Sequence, residues 1–89
     1  MSQGELADMP NLGEVTVQSL IKAGITSPEQ LRRIGAKAAW LRIREQVDPG
    51  ACFSLLQGLE GAVRGVRWHD LPVETKQELK AFFKEQSKK

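Results

Sequence analysis

Few residues of this chain are equipped for covalent chemistry. One histidine, His69, and one cysteine, Cys52, stand among its 89 residues. A thiolate–imidazole pair would make a nucleophile, but the two fall in different segments and would need the fold to bring them together. Cys52 lies on an apolar stripe, where a small core residue is the simpler assignment. His69 beside Asp70 has the form of an oriented base, and also of a surface or helix-entry histidine. Zinc would have to gather its ligands from one His, one Cys and carboxylates. Glu74 and Glu78 share a helical face and read as solvated charges. No phosphate-binding loop with a Lys-Ser/Thr ending and no dinucleotide fingerprint is present. The expectation is a protein without catalytic residues, metal or cofactor.

Binding chemistry is better represented. A hydrophobic residue followed by glycine and a helix-compatible run occurs at Pro10-Asn11-Leu12-Gly13-Glu14-Val15 and again at Arg33-Ile34-Gly35-Ala36-Lys37-Ala38. Glycine permits a cramped backbone without a Cβ penalty, so two helices can meet in a tight joint. The amides that open the second helix then have no partner within it. Such a joint is either a packing device or an anion seat for a nucleic-acid backbone. Lys37 falls in the first turn after Gly35-Ala36, where an ammonium and exposed amides could cradle a phosphate. Arg33 lies just before it, and Arg32, Arg42 and Arg44 extend a basic band; ordinary solvated charges are the plainer reading of Lys37 and Arg33. The first joint carries Glu14 at the matching place, and Lys22 is about two turns away.

A smaller patch is Arg64-Gly65-Val66-Arg67-Trp68, whose tryptophan could stack on a base or fill a protein groove. Both tryptophans, Trp40 and Trp68, are expected to be mainly core. Lys76, Lys80 and Lys84 recur every four residues on one helical face, interrupted nearby by Glu78 and Glu85, and a solvated face is the plainer reading.

The elements that must position these groups are helical, in five segments. The first covers about Glu14 to Ala23 and ends at Gly24, with Val17, Leu20 and Ile21 on its inward face. Leu6 and Met9 form a further turn or cover its end, separated from it by Pro10. Ser27, Pro28 and Gln30 give the clearest helix start, with a cap, a first-turn proline and a capping-box partner. Leu31 and Ile34 turn inward before Gly35 stops this short helix. A third segment runs from about Ala36 to Val47, burying Ala36, Ala39, Trp40, Ile43 and Val47, and Asp48-Pro49-Gly50 breaks it. The fourth spans roughly Ala51 to Arg64, with Cys52, Leu55, Leu56, Leu59 and Val63 as its stripe. Its Gly58 and Gly61 imply close approach by a neighbouring helix, of this chain or of a second copy. The fifth runs from Pro72 toward Glu85, with Val73, Leu79, Phe82 and Phe83 inward and residues 87–89 frayed. Short Gly- or Pro-marked connections leave no room for an internal linker, so residues 1–89 read as one domain.

Composition agrees with a folded chain: 40% hydrophobic, 27% charged, net charge +2. The charge alone says little about nucleic acid. No apolar run approaches the roughly 20 residues of a membrane span. Met1-Ser2-Gln3-Gly4-Glu5 lacks the basic and apolar regions of a secretion signal, so the cytoplasm is the simplest location.

In order along the chain, Leu12-Gly13, Ala23-Gly24-Ile25, Ser27-Pro28-Glu29-Gln30-Leu31, Ile34-Gly35-Ala36, Cys52-Phe53-Ser54-Leu55-Leu56, Leu59-Glu60-Gly61-Ala62 and Trp68-His69-Asp70-Leu71-Pro72 resemble the C-terminal domain of the TfoX/Sxy family of bacterial competence regulators. The likeness runs from about Leu6 to Phe83. It implies an all-α, compact five-helix domain of helix-hairpin-helix or SAM-like topology. Family members are associated with DNA-uptake competence and transcriptional co-activation; many carry a separate N-terminal domain, and free-standing versions exist. The resemblance brings no catalytic residue to Cys52 or His69. By likeness to helix-hairpin-helix proteins it places Leu12, Gly13, Arg33, Gly35, Ala36 and Lys37 against a DNA backbone, although Glu14 departs from the pattern of a strong binder. Arg64, Arg67, Lys76, Lys80 and Lys84 form a secondary basic patch. The expectation is therefore a non-enzymatic regulatory adaptor with a protein partner and weak, sequence-independent binding of double-stranded DNA, with homodimerisation open. The alternatives are a small Cys/His hydrolase or a purely structural protein-interaction domain.

Overall fold

A computed structural model describes residues 6–87. Among the described residues, four α-helices, α1 (Glu14–Lys22), α2 (Pro28–Gln46), α3 (Phe53–Arg64) and α4 (Val73–Ser87), are joined by short turns, with a 3-10 turn at Trp68–Asp70 before α4; Leu6 and Ala7, ahead of α1, are also helical. The reading of residues 1–5 and of Lys88 and Lys89 lies outside the described residues, whereas Ser87 is the last residue of α4.

Capping chemistry explains where the helices begin and end. Ser27 opens α2: its Oγ accepts the Gln30 N–H at 3.2 Å, and Pro28 occupies the first turn. The reciprocal bond reaches one residue further back than a capping box requires. Gln30 Oε1 accepts the Thr26 N–H at 2.7 Å and the Thr26 hydroxyl at 2.9 Å. At the end of α1, Gly24 takes φ 88°. Its N–H donates to Ile21 O at 3.0 Å and that of Ile25 to Leu20 O at 2.8 Å. This left-handed closure satisfies the last carbonyls and drives Ile25, 1% exposed, into the core. Gly65 ends α3 the same way.

Five expected segments are four helices because the second and third are separated by one residue instead of a loop. Gly35, at φ 86° and ψ 163°, is the single non-helical residue within α2. That region of backbone space is open almost only to glycine. The break lets one arm bury Leu31 and the other Ala36, Ala39, Trp40 and Ile43. Trp40 joins the remaining helices. Its Nε1–H donates to Cys52 O at 3.1 Å, fixing the entry to α3. Its ring meets Phe82 and Phe83 of α4 edge-on, with centroids 5.8 and 5.6 Å apart. α3 packs most extensively on α2 and also touches α4 and the 3-10 turn, which makes it the central helix. Leu6 and Met9 complete the core.

Several inward assignments require correction. Trp68 is 39% exposed. It opens a surface turn three residues long, and its ring stacks on His69. Cys52 is exposed because α3 starts at Phe53, two residues later than expected, and leaves it as an extended N-cap. Val73 is 64% exposed: the buried stripe of α4 runs Thr75, Leu79, Phe82 and Phe83, and Val73 lies off that 3.6-residue period. No neighbouring helix covers Gly58 and Gly61. The Asn11 side chain and the backbone of Val66–Trp68 do, so the glycine side of α3 is already filled within the chain.

Two glycines that look alike in sequence should therefore respond differently to alanine. At Gly61 a Cβ would collide with the Asn11 amide nitrogen and stand 2.7 Å from Val66 O. Gly61→Ala should cost about 1–3 kcal/mol, or roughly 4–8 °C of Tm per kcal/mol in a domain of this size. Gly13 has φ −79° and open space around it, so Gly13→Ala should cost less than about 1 kcal/mol. Thermal melts decide between them. Cys52 should react with a thiol reagent in the native protein, one equivalent per chain; reaction only after unfolding would contradict its exposed position.

Candidate functional site

The two glycine joints are built differently. In the first, Leu12 is buried and Gly13 is exposed as the N-cap of α1. No side chain caps this helix, so its opening amides are left to solvent. Glu14 occupies the first turn, exposed, and lines a shallow cleft with Val15, Gln18, Ser19 and Lys22. Lys22 is thus on the same face as Glu14, but the acid is at the helix start. Val15 is 80% exposed.

In the second joint Gly35 is half-buried and Ala36 buried. Lys37 is exposed but not unattached: its Nζ lies 5.6 Å from the centre of the Phe82 ring, a cation–π contact with α4. It also lines a cleft of about 140 Å³ with Glu60, Arg64, Thr75, Glu78 and Leu79. That volume is below the ~300–1,000 Å³ of small-molecule sites. The cleft brings Lys37 together with Arg64, which were expected in separate patches, but it adds two carboxylates. Arg33 is exposed and makes no described hydrogen bond, ion pair or ring contact.

The other basic residues divide into those used inside the molecule and those free at its surface. Arg64 Nε donates to Glu60 Oε2 at 2.6 Å, an i,i+4 ion pair. Lys76 Nζ donates to His69 O at 3.1 Å and ties α4 to the 3-10 turn. Arg44 donates to Gln86 O at 3.0 Å and covers the Trp40 ring. Arg32 lines a groove beside Asp8 and Glu29. Arg67, Lys80 and Lys84 are exposed. The secondary patch is thus a set of exposed charges flanking structural ones, not one continuous basic stripe.

Cys52 and His69 occupy different elements. Cys52 borders a cleft with Asn11, Thr16, Ser54, Leu55 and Gly58. His69 stacks on Trp68, with ring centroids 4.0 Å apart and planes at 27°. Among the described residues no group of three His, Cys, Asp or Glu side chains is placed to hold a metal ion, and no helix is long and apolar enough to cross a membrane.

One residue that motif reading passed over organises the first joint. Asn11 has φ 69°, the one non-glycine residue described with positive φ. Its Nδ2–H donates to Val66 O at 2.9 Å, and its Oδ1 accepts the Trp68 N–H at 3.1 Å. The sequence carried a hint, since asparagine after proline and before an apolar-Gly pair suits a left-handed turn position. Nothing local could reveal partners more than fifty residues away.

Known proteins share this arrangement. A crystal structure of an uncharacterised protein from Listeria monocytogenes, triclinic form, superposes with a TM-score of 0.90 at 49% identity, covering 92% of each chain. A tetragonal form of a Listeria protein of unknown function gives 0.87 at 50% identity, covering 90% of this chain and 98% of that one. Protein Sxy of Escherichia coli K12 is 39% identical over 74 residues, which is 83% of this chain and 35% of that protein's length. The TfoX C-terminal domain family matches residues 2–83. With nearly the whole chain inside that match, the protein belongs to the TfoX C-terminal domain family.

Proposed function

We propose that this chain is a non-enzymatic regulatory adaptor in transcription or DNA-uptake competence, acting through protein contacts and through weak, sequence-independent contact with a DNA backbone. The observation that carries the reading is the family match over residues 2–83, with 39% identity to Protein Sxy. The chain spans about a third of Protein Sxy, so the regulatory role is carried over as that of a domain. In this reading residues 1–89 act as one domain of helix-hairpin-helix or SAM-like topology, working in the cytoplasm. Its hairpins are the Leu12-Gly13 joint and the Ile34-Gly35-Ala36 joint.

Two features support backbone contact. The uncapped start of α1 at Gly13 offers donors to an anion, and Arg33 is unengaged beside the break at Gly35. Lys37 can leave the Phe82 face for a phosphate at the cost of one cation–π contact. The opposing Glu14, Glu60 and Glu78 keep such binding weak. The protein contact is assigned to the turn holding Val66 and Trp68, which are 36% and 39% exposed. An exposed aromatic anchor suits protein recognition.

Anisotropy of a labelled duplex at two salt concentrations tests this. With two or three phosphates neutralised, affinity should fall roughly 10–40-fold between about 50 and 200 mM salt. Arg33→Ala and Lys37→Ala should each weaken binding on any sequence and lower the salt slope by about one. Binding indifferent to salt and to both substitutions would remove the DNA part of the reading and leave the protein adaptor.

A further inference from the structure

Asn11 belongs to neither basic patch, yet its side chain joins parts of the chain 55 and 57 positions apart. We propose that Asn11 is a latch coupling the Leu12-Gly13 joint to the exposed Trp68-His69 turn, so that loosening one segment loosens the other. Three observations converge on it. The backbone of Asn11 is held at φ 69°, which side chains rarely adopt. Its carboxamide uses both ends at once, donating to Val66 O and accepting from Trp68 N–H. The space it occupies exists only because Gly61 has no Cβ.

The latch connects the N-cap of α1, immediately after Leu12, to the one exposed aromatic turn described. Both ends are surface segments, and the Asn11 bonds to Val66 and Trp68 are themselves exposed. They therefore open more readily than the core packing of Leu56 and Leu59 beneath. With the latch open, the joint and the turn lose their shared fixed point while α3 stays in place. The same two bonds hold both segments, so opening at either end frees the other. The inference does not depend on the duplex reading. Its test contains no nucleic acid, so the two fail separately.

Amide hydrogen exchange on the full chain decides it. The reporters on the joint side are Met9 N–H, bonded to Leu6 O, and Val17 N–H, bonded to Gly13 O. Trp68→Pro removes the donor at the far end of the latch, and Arg67, at φ −69° and ψ 146°, already has the backbone that a following proline demands. Trp68→Ala keeps the donor and removes only the ring. Met9 and Val17 should exchange at least about tenfold faster in Trp68→Pro and in Asn11→Ala, and within about twofold of wild type in Trp68→Ala. Ile25 and Val47, whose amides bond within the ends of α1 and α2, should keep their rates. Unchanged Met9 and Val17 in Asn11→Ala would overturn the proposal, as would equal acceleration at Ile25 and Val47. If Trp68→Pro does not fold, Asn11→Ala carries the test at the far side, where Asp70 N–H, bonded to Arg67 O, should exchange at least about tenfold faster and an unchanged rate would overturn the proposal.

Discussion

The architecture depends on one backbone constraint, the non-helical dihedrals of Gly35 inside α2. A straight helix over residues 28–46 would present one continuous stripe and could not bury both Leu31 and Trp40 against the same core. The break re-aims the second arm so that Trp40 lies between the entry to α3 and the two phenylalanines of α4. Any residue with a Cβ would strain there by about 1–3 kcal/mol, a large share of the stability of so small a domain. The open space beside Gly35 shows that the demand is conformational, not steric.

The same economy governs the charges. Arg44, Arg64, Lys37 and Lys76 each hold some part of the fold together, by a carbonyl, a carboxylate or a ring. Surface pairs of this kind contribute little individually, but they withdraw cations from any external anion. Among the described residues, those left for recognition are Lys22, Arg32, Arg33, Arg42, Arg67, Lys80 and Lys84, interspersed with acids. A net charge of +2 and this distribution suit weak electrostatic contact better than tight nucleic-acid binding. The exposed stack of Trp68 on His69 gives the molecule a second kind of surface with a different chemistry.

Much of the fold was legible in the sequence, for identifiable reasons. Ser27-Pro28 and the glycines at 24, 35 and 65 mark helix ends because their chemistry is local. The stripes of α1 and of the second arm of α2 follow a strong period. The misreadings differ in cause. Trp68 opens a short surface turn whose amide bonds Asn11, a partner far outside any local window. Cys52 is left as an extended N-cap because α3 starts at Phe53, and Val73 lies off the period set by Thr75 and Leu79. The glycines of α3 did signal close approach, but by a side chain and a turn, where helix packing was the natural inference. Lys37 was legible as a first-turn cation, whereas its contact with Phe82 was not.

Membership of the TfoX C-terminal domain family and the likeness to the Listeria structures place the fold securely, while recognition rests on whether the two joints meet a ligand. The most direct measurement is a two-dimensional amide NMR titration of the ¹⁵N-labelled chain with a short duplex. The largest shifts are expected at Gly13 and Glu14 and at Arg33 through Lys37. Shifts confined to the Trp68 turn and α4, or none at saturating duplex, would contradict recognition through the joints.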